Sequence, residues 1–150
     1  GEVAIYAQPA RRAALAVSPE AKVPFVPILK PGISDDPRLV CAAMAAGAAG
    51  LVLDLPGGGH VHSGWLEALT DAARRVPVIF ASRTRGGRVL SRTYRQAGGE
   101  INLIERGLTG AGDLDAVKAR LLLMLLLMAG QPDRFAELAR LSLPAATARP

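Results

Sequence analysis

The sequence predicts an α/β fold: a mostly parallel sheet flanked by helices and preceded by a short hairpin. Three observations carry that prediction. Short apolar runs at 23–30, 50–55 and 76–83 alternate with segments of helical periodicity, the signature of right-handed βαβ units. The runs show little in–out alternation, as expected of strands buried on both faces. Half of the 150 residues are hydrophobic and 21% are charged, enough apolar material for one core and too much for general disorder.

The elements follow in order. Residues 1–7 and 13–17 are short apolar runs separated by Pro9 and a basic pair, and they read as a hairpin. Residues 18–22 carry Pro and charge without apolar periodicity, so 1–22 is hairpin plus interdomain linker and the α/β domain spans 23–143. The run 23–30 is the first strand, and Pro27 inside it points to an edge strand or a late start. Ser34 or Asp35 can cap the next helix, with Pro37 in its first turn, Leu39, Val40, Ala43 and Met44 on one face, and Gly47 as its stop.

The second strand is 50–55. After the loop 56–64, Ser63 can cap a helix whose stripe is Trp65, Leu66, Leu69 and Ala73. The third strand is 76–83. Residues 84–100 are polar and glycine-rich, hence mostly loop, with room for a short strand near 88–90. A short helix covers 100–106 with Gly107 as its stop, and 108–112 is a strand-like or irregular connector. Asp113 or Asp115 caps a long helix to about residue 129, apolar almost all round from Leu121 onward, which calls for burial on several sides and a partner. A final amphipathic helix (131–142) precedes a flexible tail at 144–150.

Composition narrows the function. The net charge is +5 and the pI about 10.1. The densest basic stretch, 83–95, is broken by Gly86 and Gly87 and interleaved only with Tyr94, a poor nucleic-acid footprint. The longest unbroken apolar run, 121–129, is under half of what a bilayer crossing needs. Neither nucleic acid nor membrane is expected as a partner. Cys41 is alone, which leaves no intrachain disulfide and no cysteine metal cluster. The opening residues show no basic n-region followed by an apolar stretch, so no signal peptide is read there. The compartment stays open, with cytoplasm slightly favoured over periplasm or secretion.

The loop Gly57-Gly58-Gly59-His60 is the most informative local feature. It follows a strand and precedes a helix, at the edge where parallel sheets bind ligands, and its glycines let backbone approach something closely. It is neither GxGxxG nor a P-loop. His60 and His62 lack a third acidic or cysteine ligand nearby, so no metal is expected. Ser82 and Arg83 sit at the end of the third strand, on the same edge. A serine hydrolase using Ser82 with His60 or His62 as base is geometrically conceivable, but G-x-S-x-G is missing. The bland reading is that Ser82 and Arg83 make structural hydrogen bonds where the strand ends. Asp113 and the basic residues Lys118 and Arg120 read as an acidic cap and a solvated helix face.

Taken in order, these motifs resemble the C-terminal domain of the bacterial-type L-asparaginase/glutaminase family. The resemblance rests on Gly32 with Asp36-Pro37, on AAGAAGLVLDLPGGGHV, on VPVIFASRT with Gly87-Arg88-Val89 and Tyr94, and most specifically on GLTGAGDLDAVKARLLLMLLL. It covers roughly 23–128. It implies a three-layer sandwich with a four-stranded parallel sheet, a homodimer or a homotetramer of two intimate dimers, and hydrolysis of asparagine, often glutamine, without metal or organic cofactor. The family's threonine nucleophile, second threonine, aspartate and lysine belong to an N-terminal domain. None of them matches a residue here, so the resemblance assigns this chain no catalytic residue. It implies instead a loop that closes a neighbouring subunit's amide-binding pocket, and His60 stands where an asparagine often follows the glycines. An acidic contributor of some members falls near Tyr94. The residues expected at such a pocket are Gly57, Gly58, Gly59, His60, Ser82, Arg83 and Tyr94. The rival reading is a non-catalytic amino-acid-binding or regulatory module using Gly59 and Arg83.

Overall fold

The structure, a computed structural model, describes residues 14–32, 34–84 and 86–139. Four strands, β1 (Ile28–Leu29), β2 (Leu51–Leu55), β3 (Val78–Ser82) and β4 (Thr109–Gly110), form one all-parallel sheet in chain order, β1-β2-β3-β4. The helices are α1 (Arg38–Ala45), α2 (Leu66–Ala73), α3 (Glu100–Glu105), α4 (Ala116–Met128) and α5 (Phe135–Leu138). Spatial order equal to chain order has a direct consequence. Right-handed crossovers place α1, α2 and α3 on one face, where α1 packs on α2, while α4 returns across β1, β2 and β3. The result is the three-layer α/β arrangement.

The central strands form the core. Leu51, Val52, Leu53, Leu55, Val78, Ile79, Phe80 and Ala81 are all buried, so both faces of β2 and β3 are covered. This is why their sequence runs unbroken rather than alternating. The apolar run 23–30 yields only two ladder residues. Pro27 has no N–H, and its carbonyl accepts from Val52 N, so the strand begins just after it.

Several local expectations need correction. Neither Ser34 nor Asp35 caps α1. Pro37 occupies the N-cap, Asp36 accepts from Arg38 N, and Asp35 is taken by Gly32 N. Ser63 does not cap the next helix either, because the imidazole Nδ1 of His62 accepts from Gly64 N and opens a 3₁₀ turn (Ser63–Trp65) leading into α2. No strand forms at 88–90, since Val89 N donates to Gly112 O and Leu90 N to Gly58 O. These donors serve two different segments, which is a bridge and not a ladder. Asp115 rather than Asp113 caps α4, accepting from Lys118 N at 2.9 Å, while Asp113 pairs with Arg88. The final helix expected over 131–142 opens instead with a 3₁₀ turn (Pro132–Arg134) followed by α5, which Phe135 anchors in the core; residues 140–142 lie outside the described residues. Residues 14–22 form no strand. The rest of the hairpin and the tail lie outside the described residues.

Helix α4 buries one stripe, Ala116, Ala119, Leu123 and Leu126. Val117 is 69% and Leu121 58% exposed, so burial on several sides is not met within the described residues. Arg120 ties the helix to the first strand region through its Nε, which donates to Val26 O at 2.6 Å. Leu123 sits over Gly50, where an added Cβ would lie 2.9 Å from Leu123 Cδ2. Leu123→Ala should therefore destabilise the chain by about 3 kcal/mol, the range for a buried leucine deletion in a tight core, as read from the urea midpoint.

Candidate functional site

Parallel register brings the loops after β2 and β3 to one edge, with Leu55 opposite Ser82. A sheet whose strand order never reverses has no crevice between diverging crossovers. Whatever site this edge carries must therefore be built by its loops.

The loop after β2 is wound on Pro56, whose carbonyl accepts from Gly59 N and His60 N, both at 3.2 Å. Gly59 has φ +103°, and a Cβ there would lie 3.1 Å from both the Phe80 ring and Val89. Glycine is required at this position by conformation and by space. A Cβ on Gly58 would run into the side chain of Leu90. Ser82 donates to Gly57 O at 2.6 Å and shares a hydrogen bond with Thr84 Oγ1. Neither histidine is hydrogen-bonded to Ser82, so the arrangement of a serine nucleophile with its base is not formed. Arg83 is similarly structural. Its N–H donates to Leu55 O and its guanidinium to Pro31 O at 3.0 Å, tying the ends of three strands together.

His60 points the other way. Its Nε2 lies 3.2 Å from Oε2 of Glu100, and its ring meets Tyr94 edge-on, centroids 4.9 Å apart at 84°. Glu100, the first residue of α3, has no solvent exposure. Its Oε1 accepts from Thr93 N at 2.7 Å and Tyr94 N at 2.8 Å. Burial pushes this carboxyl up, but the N–H groups of Tyr94, Thr93 and Glu100 itself, together with His60, outweigh it and hold its pKa below the ordinary value. Glu100, read from the sequence only as a helix start, is the buried member of this cluster.

The turn before α3 supports this group. Val61 N donates to Gly98 O, Gly98 N donates to Asn102 Oδ1, and Arg106 bridges Asn102 to Thr70 on α2. At Gly98, φ +81°, an added Cβ would collide with the Val61 carbonyl. The seven expected residues thus divide. His60 and Tyr94 meet at Glu100, while Gly57 is bonded to Ser82, Gly58 lies against Leu90, and Gly59 packs on Phe80 and Val89. Ser82 and Arg83 instead line a neighbouring open cavity of about 490 Å³ with Lys30, Asp54 and Lys118. Among the described residues no three His, Cys, Asp or Glu side chains are grouped to hold a metal ion.

With this geometry in place, comparison with known proteins is decisive for the family. Residues 26–140 match the Glutaminase/Asparaginase C-terminal domain family. The chain belongs to that family. Among its relatives are a probable L-asparaginase of Deinococcus radiodurans, 42% identical over 83 residues, and an L-asparaginase of Bacillus licheniformis, 30% identical over 117 residues. These alignments cover 55% and 75% of the present chain. They cover only 25% and 36% of the two relatives, so the chain spans about a quarter to a third of the proteins it matches. The asparaginase context expected from the ordered motifs is met at the level of family and fold.

Two outcomes test the site's construction. A group whose native pKa is depressed stabilises the fold above its unfolded pKa, about 4.3 for glutamate, and loses that contribution as pH falls through the lower native value. The urea-midpoint advantage of the wild type over Glu100→Gln should therefore be full at pH 6 and shrink below about pH 4.3; a pH-independent difference contradicts this. Gly98→Ala should cost at least about 1–2 kcal/mol from the positive φ alone, with a shifted Tyr94 ring environment by NMR.

Proposed function

We propose that this chain is the C-terminal domain of an asparaginase-type amidohydrolase and that its active-site contribution is a pocket-closing loop, not a nucleophile. The observation that carries the reading is the cluster of His60, Glu100 and Tyr94. A glycine-rich loop at the ligand edge of the sheet ends in an imidazole fixed by a buried carboxylate, with no nucleophile hydrogen-bonded to it. His60 stands where the family resemblance expects an asparagine, and an imidazole can likewise donate or accept a hydrogen bond. The resemblance expects an acidic contributor near Tyr94, and Glu100, which accepts from Tyr94 N, is the group we assign to that place.

In this reading the substrate is a small amide, asparagine first and glutamine second. The attacking threonine and its activating groups come from an N-terminal domain. The loop of one subunit completes the pocket of another, so function depends on assembly into a homodimer or homotetramer. The exposed apolar residues Val117 and Leu121 on α4 supply surface for such contacts. No metal or organic cofactor takes part.

The 150-residue chain should release no ammonia from asparagine, whereas the intact protein should, and His60→Ala in the intact protein should raise KM about 3- to 10-fold, the loss of one hydrogen bond. Turnover by the chain alone overturns the assignment. Calorimetry of the chain with asparagine, aspartate, glutamine and glutamate should show no tight binding; a micromolar Kd would favour the amino-acid-binding module instead.

A further inference from the structure

We propose that Glu100 is a positioning residue that fixes the neutral His60 ring as its Nε2–H tautomer, so that the loop presents a bare Nδ1 acceptor to its ligand. The role of that acceptor rests on the pocket-closing reading above, but the tautomer itself does not.

Four observations carry the inference. Ionised Glu100 has only acceptors to offer. Its Oε1 is taken by Thr93 N and Tyr94 N, which leaves Oε2 facing His60 Nε2 at 3.2 Å. A lone pair on Nε2 would face a carboxylate lone pair with no proton between them, and the carboxylate is sealed from water. The proton therefore belongs on Nε2, and in the neutral ring Nδ1 must then be an acceptor. The Tyr94 ring standing edge-on to His60 restricts rotation out of this arrangement. The imidazole is 29% exposed and Nδ1 has no hydrogen-bond partner among the described residues, so that nitrogen is the group left to meet an incoming ligand. A carboxylate that orients an imidazole through its far nitrogen is a general device for setting which nitrogen stays bare.

The chemical consequence is a restriction on specificity. An asparagine side chain in this place would offer both a donor and an acceptor, whereas His60 held in this way offers an acceptor only. The ligand group it meets must then be an N–H or O–H donor, such as the amide or amine end of the substrate and not its carboxylate.

Substituting Glu100→Gln tests this directly. The carbonyl of the introduced amide would keep the Thr93 and Tyr94 N–H groups, turning its NH₂ toward His60 Nε2. That donor demands a lone pair, so the ring proton must move to Nδ1. The measurement is the long-range ¹H–¹⁵N correlation pattern of the imidazole at neutral pH, in a His62→Asn background that leaves His60 the sole histidine. The parent should show protonated Nε2 and bare Nδ1, and Glu100→Gln should show the reverse. A parent with protonated Nδ1, or an averaged mixture of tautomers, overturns the proposal even if the glutamine variant does not fold. An unchanged pattern in a folded glutamine variant overturns it as well. Since the readout is independent of turnover, a correct tautomer beside a kinetically silent His60 would refute the pocket-closing role and leave the positioning role standing.

Discussion

Removing an ionised carboxylate from water is costly unless hydrogen bonds replace its hydration, and Glu100 satisfies that demand with groups drawn from three separate segments. Thr93 and Tyr94 give backbone N–H groups from the long loop after β3, and His60 gives a ring nitrogen from the loop after β2. The acid itself opens α3, which adds Glu100's own backbone N–H. Anchoring all three to one buried group organises an edge that sheet topology alone leaves open. The turn at Gly98 and the chain from Asn102 through Arg106 to Thr70 then brace the cluster against α2.

The strand order explains why loops carry this burden. In a sheet running β1-β2-β3-β4 without reversal, successive crossovers lie side by side and no cleft opens between them. The order at this edge comes from the hydrogen-bonded loops after β2 and β3. On helix α4, Val117 and Leu121 stay exposed.

Much of the fold was legible because its signals are local. The runs at 50–55 and 76–83 could be read as buried parallel strands, and β2 and β3 lie within them. Gly47 and Gly107 could be read as stops, and α1 and α3 end two residues before them. The glycine loop with His60 stood out because three consecutive glycines are rare where nothing requires them. The capping details were less legible. Serine at position 63 is a good cap in isolation, yet the 3₁₀ turn opens one residue earlier, capped by His62, and takes Ser63 inside it. The structural roles of Ser82 and Arg83 were hidden too, because their hydrogen-bond partners Gly57 and Pro31 lie far from them in sequence.

By itself the sequence determined the α/β class, the ordering of strands and helices and the family, since each depends on periodicity, glycine and proline placement or motif order within short windows. Only the tertiary structure decided that Glu100 joins His60 and the Tyr94 backbone in one buried cluster. A glutamate at a helix start looks like ordinary capping charge, and nothing within its own window reveals that His60, forty residues earlier, closes on it. Long-range pairing of this kind is set by how crossovers stack on the sheet, a property of packing that no local pattern encodes.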